Sequence, residues 1–268
     1  MKRRCFLQQA GAMLTGATAA AAVDERGLSQ HDAAPNDRRP TVLLTSPESE
    51  LGQALADALG EPFDIRPAGG PLFRDENGAL ERLLQGVRAV IHVAQPDAGG
   101  AGGAGGALID RRGRGTYDLL TTAAAKGVEL VVYLSSLRIM AGYDPSFQVA
   151  EDWRPVPNSD PDQLSHYLAE CTCREFAREG KVRAVVLRLA EVVRDAAQRE
   201  DGFEPPWVAQ ADAVQAVRRT LEVHFNVDAA ALRAWNVLHI AADVPGGRFP
   251  VTRARRVLGY RPRFNPQP

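Results

Sequence analysis

Cysteine is scarce: Cys5, Cys171 and Cys173 are the only three in 268 residues, too few for a disulfide framework or a four-cysteine zinc site. Cys171 and Cys173, two apart on a helix, point to different faces, and no metal site is expected. Net charge is lacking as well. Thirty-two Lys and Arg against 33 Asp and Glu leave a formal charge of -1, no field for gathering nucleic acid or anionic lipid, so nucleic-acid binding is disfavoured. There is no apolar run of the roughly 20 residues that a membrane-spanning helix needs. What remains is 45% hydrophobic and 24% charged, the composition of a soluble folded protein. At roughly 100 to 200 residues per domain, the length suits one large domain or two small ones.

The chain starts MKRRCFLQQAGAMLTGATAAAAVDE. Basic Lys2, Arg3 and Arg4, a mildly apolar Ala/Gly/Leu stretch and small residues before Val23 have the layout of a signal peptide over residues 1–22. Arg3-Arg4-Cys5-Phe6-Leu7-Gln8 resembles the twin-arginine export motif R-R-x-F-L-K, with Gln8 in place of the final Lys. The expectation is an exported, periplasmic protein with no stable membrane span once the leader is removed. A cytoplasmic protein with a frayed N-terminus is the alternative. Residues 23–39 read as a polar linker, and folding is expected to begin near Pro40.

From there apolar β-branched runs alternate with segments of helical period. Strands are expected at Thr41–Thr45, Phe63–Arg66, Ala89–Ala94, Leu130–Leu134, Ala184–Leu187 and Asn236–Ile240. Helices are expected from Leu51 to Leu59, Ala79 to Gln85, Tyr117 to Lys126 (closed by Gly127), from Pro161, and from Ala211 to Leu221. In the helix from Pro161, Leu164, Tyr167, Leu168, Cys171 and Phe176 are expected to face inward. Asp160 suits its N-cap, Pro161 its first helical position and Gln163 a capping box. Continuous apolar strands separated by helices imply right-handed βαβ units and a parallel sheet covered on both faces. The fold class is doubly wound α/β. Residues 40–193 would form the main domain, and residues 194–268 a small C-terminal lobe with elements returning to the sheet.

Several segments in order resemble the extended short-chain dehydrogenase/reductase family, the NAD-dependent epimerases and dehydratases. TVLLTSPESELGQAL is similar to its first strand and cofactor turn, GVRAVIHVA to its G-V-D-A-V-I-H-x-A strand, and RRGRGTYDLLTTAAAKGVELVVYLSS to N-V-x-G-T-x-x-L-L-x-A-A-x-x-x-G-V-x-x-V-V-Y-x-S-S. AVVLRLAEVV resembles the strand ending L-R-P-x-x-V-Y, and RRVLGYRPRF the C-terminus. The resemblance implies a Rossmann-like sheet with a small C-terminal substrate lobe. It places Thr45, Ser46, Ser49, Gly52, Arg66, His92 and Ala94 around a cofactor cleft for NAD or NADP.

The residues that carry the chemistry differ. The family turn T-G-x-x-G-x-x-G uses glycines for a tight turn and for close approach to the pyrophosphate. Here it reads Thr45-Ser46-Pro47-Glu48-Ser49-Glu50-Leu51-Gly52, and only the last glycine is kept. Serine at a position needing positive φ is strained. Glu48 and Glu50 suit a helix dipole but repel a phosphate. Arg66 stands near the end of the second strand in place of an acidic ribose ligand; it would favour a 2′-phosphate or simply be a surface arginine. Ser136 matches the family serine, but Y-x-x-S-K aligns with Asp162-Gln163-Leu164-Ser165-His166, so the acid/base tyrosine has become Asp162 and the lysine His166. The family asparagine is Arg112. Asp162 and His166, four apart on one helical face, could form an acid-base pair beside Ser136. His92 is expected to be packed or hydrogen-bonded, and Cys171 to be core. The glycine-rich run from Gly99 to Gly106 is expected to be a flexible insertion.

The expectation is therefore an exported epimerase/dehydratase-like protein that is divergent or noncatalytic, a pseudoenzyme in which dinucleotide binding is doubtful. The alternative is an active NAD(P)-dependent epimerase or oxidoreductase with a rearranged site, acting on a nucleotide-sugar or other small carbohydrate-like substrate. A small-molecule substrate and a homo-oligomer are compatible with either. A scaffold docking through exposed helices is a third reading with no dedicated sequence signal.

Overall fold

A computed structural model of the chain describes residues 39–70, 78–93, 105–194, 206–227 and 229–263. They belong to one compact unit, Arg38–Pro268. Six strands, β1 (Thr41–Thr45), β2 (Asp64–Ala68), β3 (Ala89–Val93), β4 (Leu130–Ser136), β5 (Arg183–Leu189) and β8 (Trp235–Ile240), form a parallel sheet in the order β2-β1-β3-β4-β5-β8. β6 (Glu191–Val193) and β7 (Trp207–Ala209) form a separate two-stranded parallel sheet. The expected doubly wound α/β class is what the structure has. Several strand edges differ: β2 runs later than expected, with Pro67 opposite Leu44, β4 continues through Ser135 and Ser136 beside Arg188 and Leu189, β5 extends at both ends to Arg183 and Leu189, and β8 starts at Trp235.

Because successive strand residues face opposite ways, each apolar strand feeds two cores. Val42, Leu44, Ile91, Val132, Leu134, Val185 and Leu187 pack with α1 (Glu50–Leu59), α6 (Gln210–Glu222) and α7 (Thr252–Leu258). Leu43, Val90, Val131, Tyr133 and Val186 pack with α2 (Ala79–Leu83), α4 (Gly115–Ala125) and α5 (Pro161–Arg178). A short α3 (Gly105–Ile109) leads into α4 through a widened turn, Asp110–Arg114, which buries Arg112. Gly127 ends α4 with a positive φ of 75°, as its place in the sequence implies.

The inward face of α5 is only partly the expected one: Phe176 is buried as expected, but Leu164 and Tyr167 are half-buried. Gln163, Ser165, His166, Ala169, Glu170, Cys173, Phe176 and Ala177 are buried, whereas Leu168 is exposed and Cys171 half-buried. The reason is what lies beneath the helix: Arg112, Tyr133 and Arg188 present polar groups, and those need Ser165, His166 and Glu170 opposite them rather than leucines. Asp160 does cap α5, accepting from Asp162 N at 3.1 Å, and Pro161 opens it. Gln163, however, accepts from Asn158 N at 3.4 Å, because Asp160 N already donates to the Asn158 side chain.

One buried group in β8 lacks partners. His239 is fully buried with both ring nitrogens unbonded among the described residues, its ring edge-on to Phe249. An unsatisfied buried polar group costs about 1–3 kcal/mol, so His239→Leu is expected to raise stability by about 1 kcal/mol. Urea unfolding at pH 7.5 checks this; a loss of stability would mean that the imidazole is hydrogen-bonded after all.

Candidate functional site

The sheet order reverses between β1 and β3: the chain leaves β1 to one side for β2 and returns to the other for β3. In doubly wound folds the crevice at the carboxyl ends of such strands is where ligands bind. Here a cleft of about 720 Å³ opens there. Val93, Leu134, Ser136 and Leu189 supply its strand ends, and Asp162 and His166 of α5 line it.

The turn from β1 to α1 forms one border. Ser46 has φ 50°, the left-handed conformation for which glycine is the ordinary residue. Its strain is offset by local bonds: Ser46 Oγ donates to Val93 O at 3.1 Å and Ser46 N to Ala68 O at 3.1 Å. Ser49 is the N-cap of α1; its hydroxyl accepts from Gly52 N at 3.0 Å and donates to Ser46 O at 2.8 Å. A free amide at a helix N-terminus is what an anion would use, and here the chain's own hydroxyl takes it. Glu50 opens the helix, ion-paired with Arg194, and Gln210 Nε2 donates to Glu50 O at 3.1 Å. Gly52, the retained glycine, is sterically required, since a Cβ there would lie 2.2 Å from Ser46 O. Gly52→Ala is expected to cost about 1–3 kcal/mol through the forced backbone shift, measurable as a lower urea midpoint.

The candidate catalytic residues Ser136, Asp162 and His166 converge on the cleft. Ser136 Oγ accepts from Arg138 N at 3.2 Å and caps the short turn Leu137–Met140. Asp162 is held by two guanidiniums, Arg112 Nη1 at 2.9 Å and Arg138 Nη1 at 3.4 Å. Arg112 is buried, and its Nη1 also donates to Ser165 Oγ at 2.7 Å and Asp162 O at 3.1 Å. His166 Nδ1 lies 3.0 Å from Tyr133 Oη, and its Nε2 lies 3.9 Å from Asp162 Oδ1. Burial, then the positive charges of Arg112 and Arg138, hold His166 well below the usual imidazole range. Ser136, Asp162 and His166 thus share one cleft, but no hydrogen bond joins Ser136 to His166 among the described residues.

Tyr133 is fully buried, with burial pushing its phenol well up, and His166 is its one hydrogen-bond partner among the described residues. Satisfying the O–H therefore requires Tyr133 to donate and His166 Nδ1 to accept. The proton of the neutral imidazole then sits on Nε2, which makes the cleft-facing nitrogen a donor rather than a base.

The remaining candidate cofactor residues tie the scaffold together. Thr45 Oγ1 accepts from Val93 N at 2.9 Å and lies 3.1 Å from His92 Nδ1, while His92 Nε2 lies 2.9 Å from Thr116 Oγ1. Burial and Arg112 push His92 down to about 4, so it is the packed, hydrogen-bonded residue expected. Arg66 Nη1 donates to Leu83 O at 2.7 Å and Gln85 O at 2.8 Å, closing the end of α2. Ala94 and the glycine-rich residues 99–104 lie outside the described residues. In the sequence Arg112 stands out only as a lost asparagine, and Tyr133 and Thr116 carry no signal of their own. The available signal for Arg112 was the simultaneous gain of opposite charges where the family has neutral Asn and Tyr.

Among solved structures, a short-chain dehydrogenase/reductase superfamily protein from Agrobacterium tumefaciens with bound NAD is similar at a TM-score of 0.68 and 19% identity. It covers 84% of this chain and 93% of its own. MoeE5 in complex with UDP-glucose and NAD follows at 0.66 and 21%, covering 84% and 94%. UDP-glucuronic acid 4-epimerase from Bacillus cereus in complex with NAD gives 0.65 and 16%, covering 84% and 92%. At these identities they show the fold. No curated protein matches the chain. The sequence profile of the NAD dependent epimerase/dehydratase family matches residues 71–235, which is more than half of the chain and begins beyond the Ser46–Gly52 turn. The chain belongs to the NAD dependent epimerase/dehydratase family.

Proposed function

We propose that this protein is a divergent member of the family that performs no hydride transfer, exported through the twin-arginine-like leader of residues 1–22 to the periplasm. The observation that carries the reading is the Arg112–Asp162 pair. Where the family has a neutral asparagine and an acid/base tyrosine, this chain has a guanidinium bonded to a carboxylate, with a second guanidinium, Arg138, on the other oxygen. Tyrosine acid/base chemistry needs a phenol beside a lysine; a carboxylate clamped by two cations and an Nε2–H imidazole supply neither.

The cofactor turn supports the same reading. The dinucleotide does not fit the residues present: Ser49 Oγ occupies Gly52 N, and Glu48 and Glu50 set two carboxylates beside the helix N-terminus, where a pyrophosphate would add further negative charge. Denaturing the purified, leaderless protein and weighing what it releases tests the reading. No nicotinamide dinucleotide is expected, and a stoichiometric one would overturn it.

A second reading, an active NAD(P)-dependent epimerase or oxidoreductase on a nucleotide-sugar or related substrate, is favoured by one observation. The cleft is open, at about 720 Å³, and Ser136, Asp162 and His166 all line it. Ser136 and His166 Nε2–H would then bind substrate oxygens, and Asp162 would be the base.

A further inference from the structure

A cleft that lost its phosphate-binding features has not been filled in. Leu51, Val93, Leu108, Leu134, Leu189 and Val192 wall about 720 Å³ with apolar surface from helices and strand ends alike, a volume within the range of small-molecule pockets. Its cation is already engaged: Arg138 holds Asp160 and Asp162. At the rim Arg194 holds Glu50. Among the described residues that line the cleft, a phosphorylated or carboxylated ligand would therefore meet carboxylates without finding an unengaged Lys or Arg.

Two polar groups in the lining do lack a partner suited to them. Ser135 lines the cleft; its Oγ is shut off from solvent and makes no hydrogen bond among the described residues, and a χ1 rotation is what would turn it toward a ligand. His166 Nε2–H, fixed in that tautomer by the Tyr133 hydroxyl, stands 3.9 Å from Asp162 Oδ1, beyond hydrogen-bond length. An apolar pocket with a few placed polar groups selects ligands by shape and by those groups.

We propose that this cleft binds a neutral, mainly apolar small molecule carrying a carbonyl or hydroxyl oxygen, with Ser135 and His166 as its polar contacts. The proposal rests on the reading that no dinucleotide occupies the site. Discrimination follows from desolvation: a neutral ligand buries apolar surface and gives its oxygen a donor, whereas an anion would lose water and gain no counter-charge.

The probe is Nile red, a neutral dye with a carbonyl acceptor that brightens on leaving water, titrated into the leaderless protein by fluorescence. Saturable binding of one dye per chain with a micromolar Kd is expected. Val192→Glu, at a half-buried rim position, is expected to weaken it at least tenfold, and Ser135→Ala severalfold. Leu168→Glu removes an exposed leucine outside the cleft and is expected to leave binding unchanged, with circular dichroism confirming that each variant is folded. Binding that is absent, unsaturable, insensitive to Val192→Glu or abolished by Leu168→Glu overturns the proposal. A parallel calorimetric titration with NAD separates the two ideas: heat of NAD binding overturns the noncatalytic reading, whereas silence from both NAD and dye overturns only the ligand class.

Discussion

Acidification from pH 7.5 to 5 is expected to destabilise the fold well before the carboxylates titrate. Burial, with Arg112 adding to it, pushes His92 down to about 4. Burial, then Arg188 and Arg253, push His239 down to about 3. In the unfolded chain an imidazole takes its proton near pH 6.5. Below that value the unfolded state binds protons that the folded state refuses, and stability falls with the difference. The contribution is complete above pH 6.5 and is lost as pH falls toward the folded values, about 4 and about 3. At about 1.4 kcal/mol per unit, each group loses about 2 kcal/mol by pH 5, or about 4 kcal/mol for the two. His166 shifts in the same direction and adds to the loss. Glu151 opposes it, because burial raises its carboxyl and the folded state takes that proton first. Urea midpoints at pH 7.5, 6.5, 5.5 and 5.0 should fall, with most of the drop below pH 6.5. A flat profile down to pH 5 would contradict the buried, neutral placement of these rings.

Arg188→Met is expected to cost about 3–5 kcal/mol, the range for removing one partner of a buried ion pair. Arg188 and Glu170 are almost wholly buried and joined in a fork, with Nε at 3.0 Å from Oε1 and Nη2 at 2.8 Å from Oε2. Removing the guanidinium leaves a carboxylate inside the fold. The double variant Arg188→Met/Glu170→Gln removes both charges and should recover most of the loss, the signature of an uncompensated charge rather than of lost packing. Both residues also line a separate cleft of about 610 Å³ beside α5. A single variant within about 1 kcal/mol of the parent would mean that water in that cleft already solvates Glu170.

The strands were legible because a parallel sheet buried on both faces needs runs such as TVLLT and AVVLRL, which few other structures tolerate. The strain at Ser46 was legible for a related reason: the turn's need for positive φ is a backbone constraint, and serine meets it only at a cost. The inward face of α5 was not legible. Helical periodicity assigns leucines inward, but Tyr133, Arg112 and Arg188, distant in sequence, decide that Ser165, His166 and Glu170 are buried instead. Nor could the sequence show that Arg112 would turn to Asp162, 50 positions away, or that His166 would have its tautomer set by Tyr133. Side-chain partners across elements depend on the fold already being assembled, and Arg66 shows the converse, an apparent phosphate ligand that closes its own neighbouring helix.

Calorimetric titration of the protein lacking residues 1–22 with NAD, NADH, NADP and NADPH tests the central claim most directly, because hydride chemistry requires a bound dinucleotide and in the Ser46–Gly52 turn the Gly52 amide is given to Ser49. The account predicts no binding heat up to millimolar dinucleotide. Saturable binding at micromolar concentration by any of the four would contradict it.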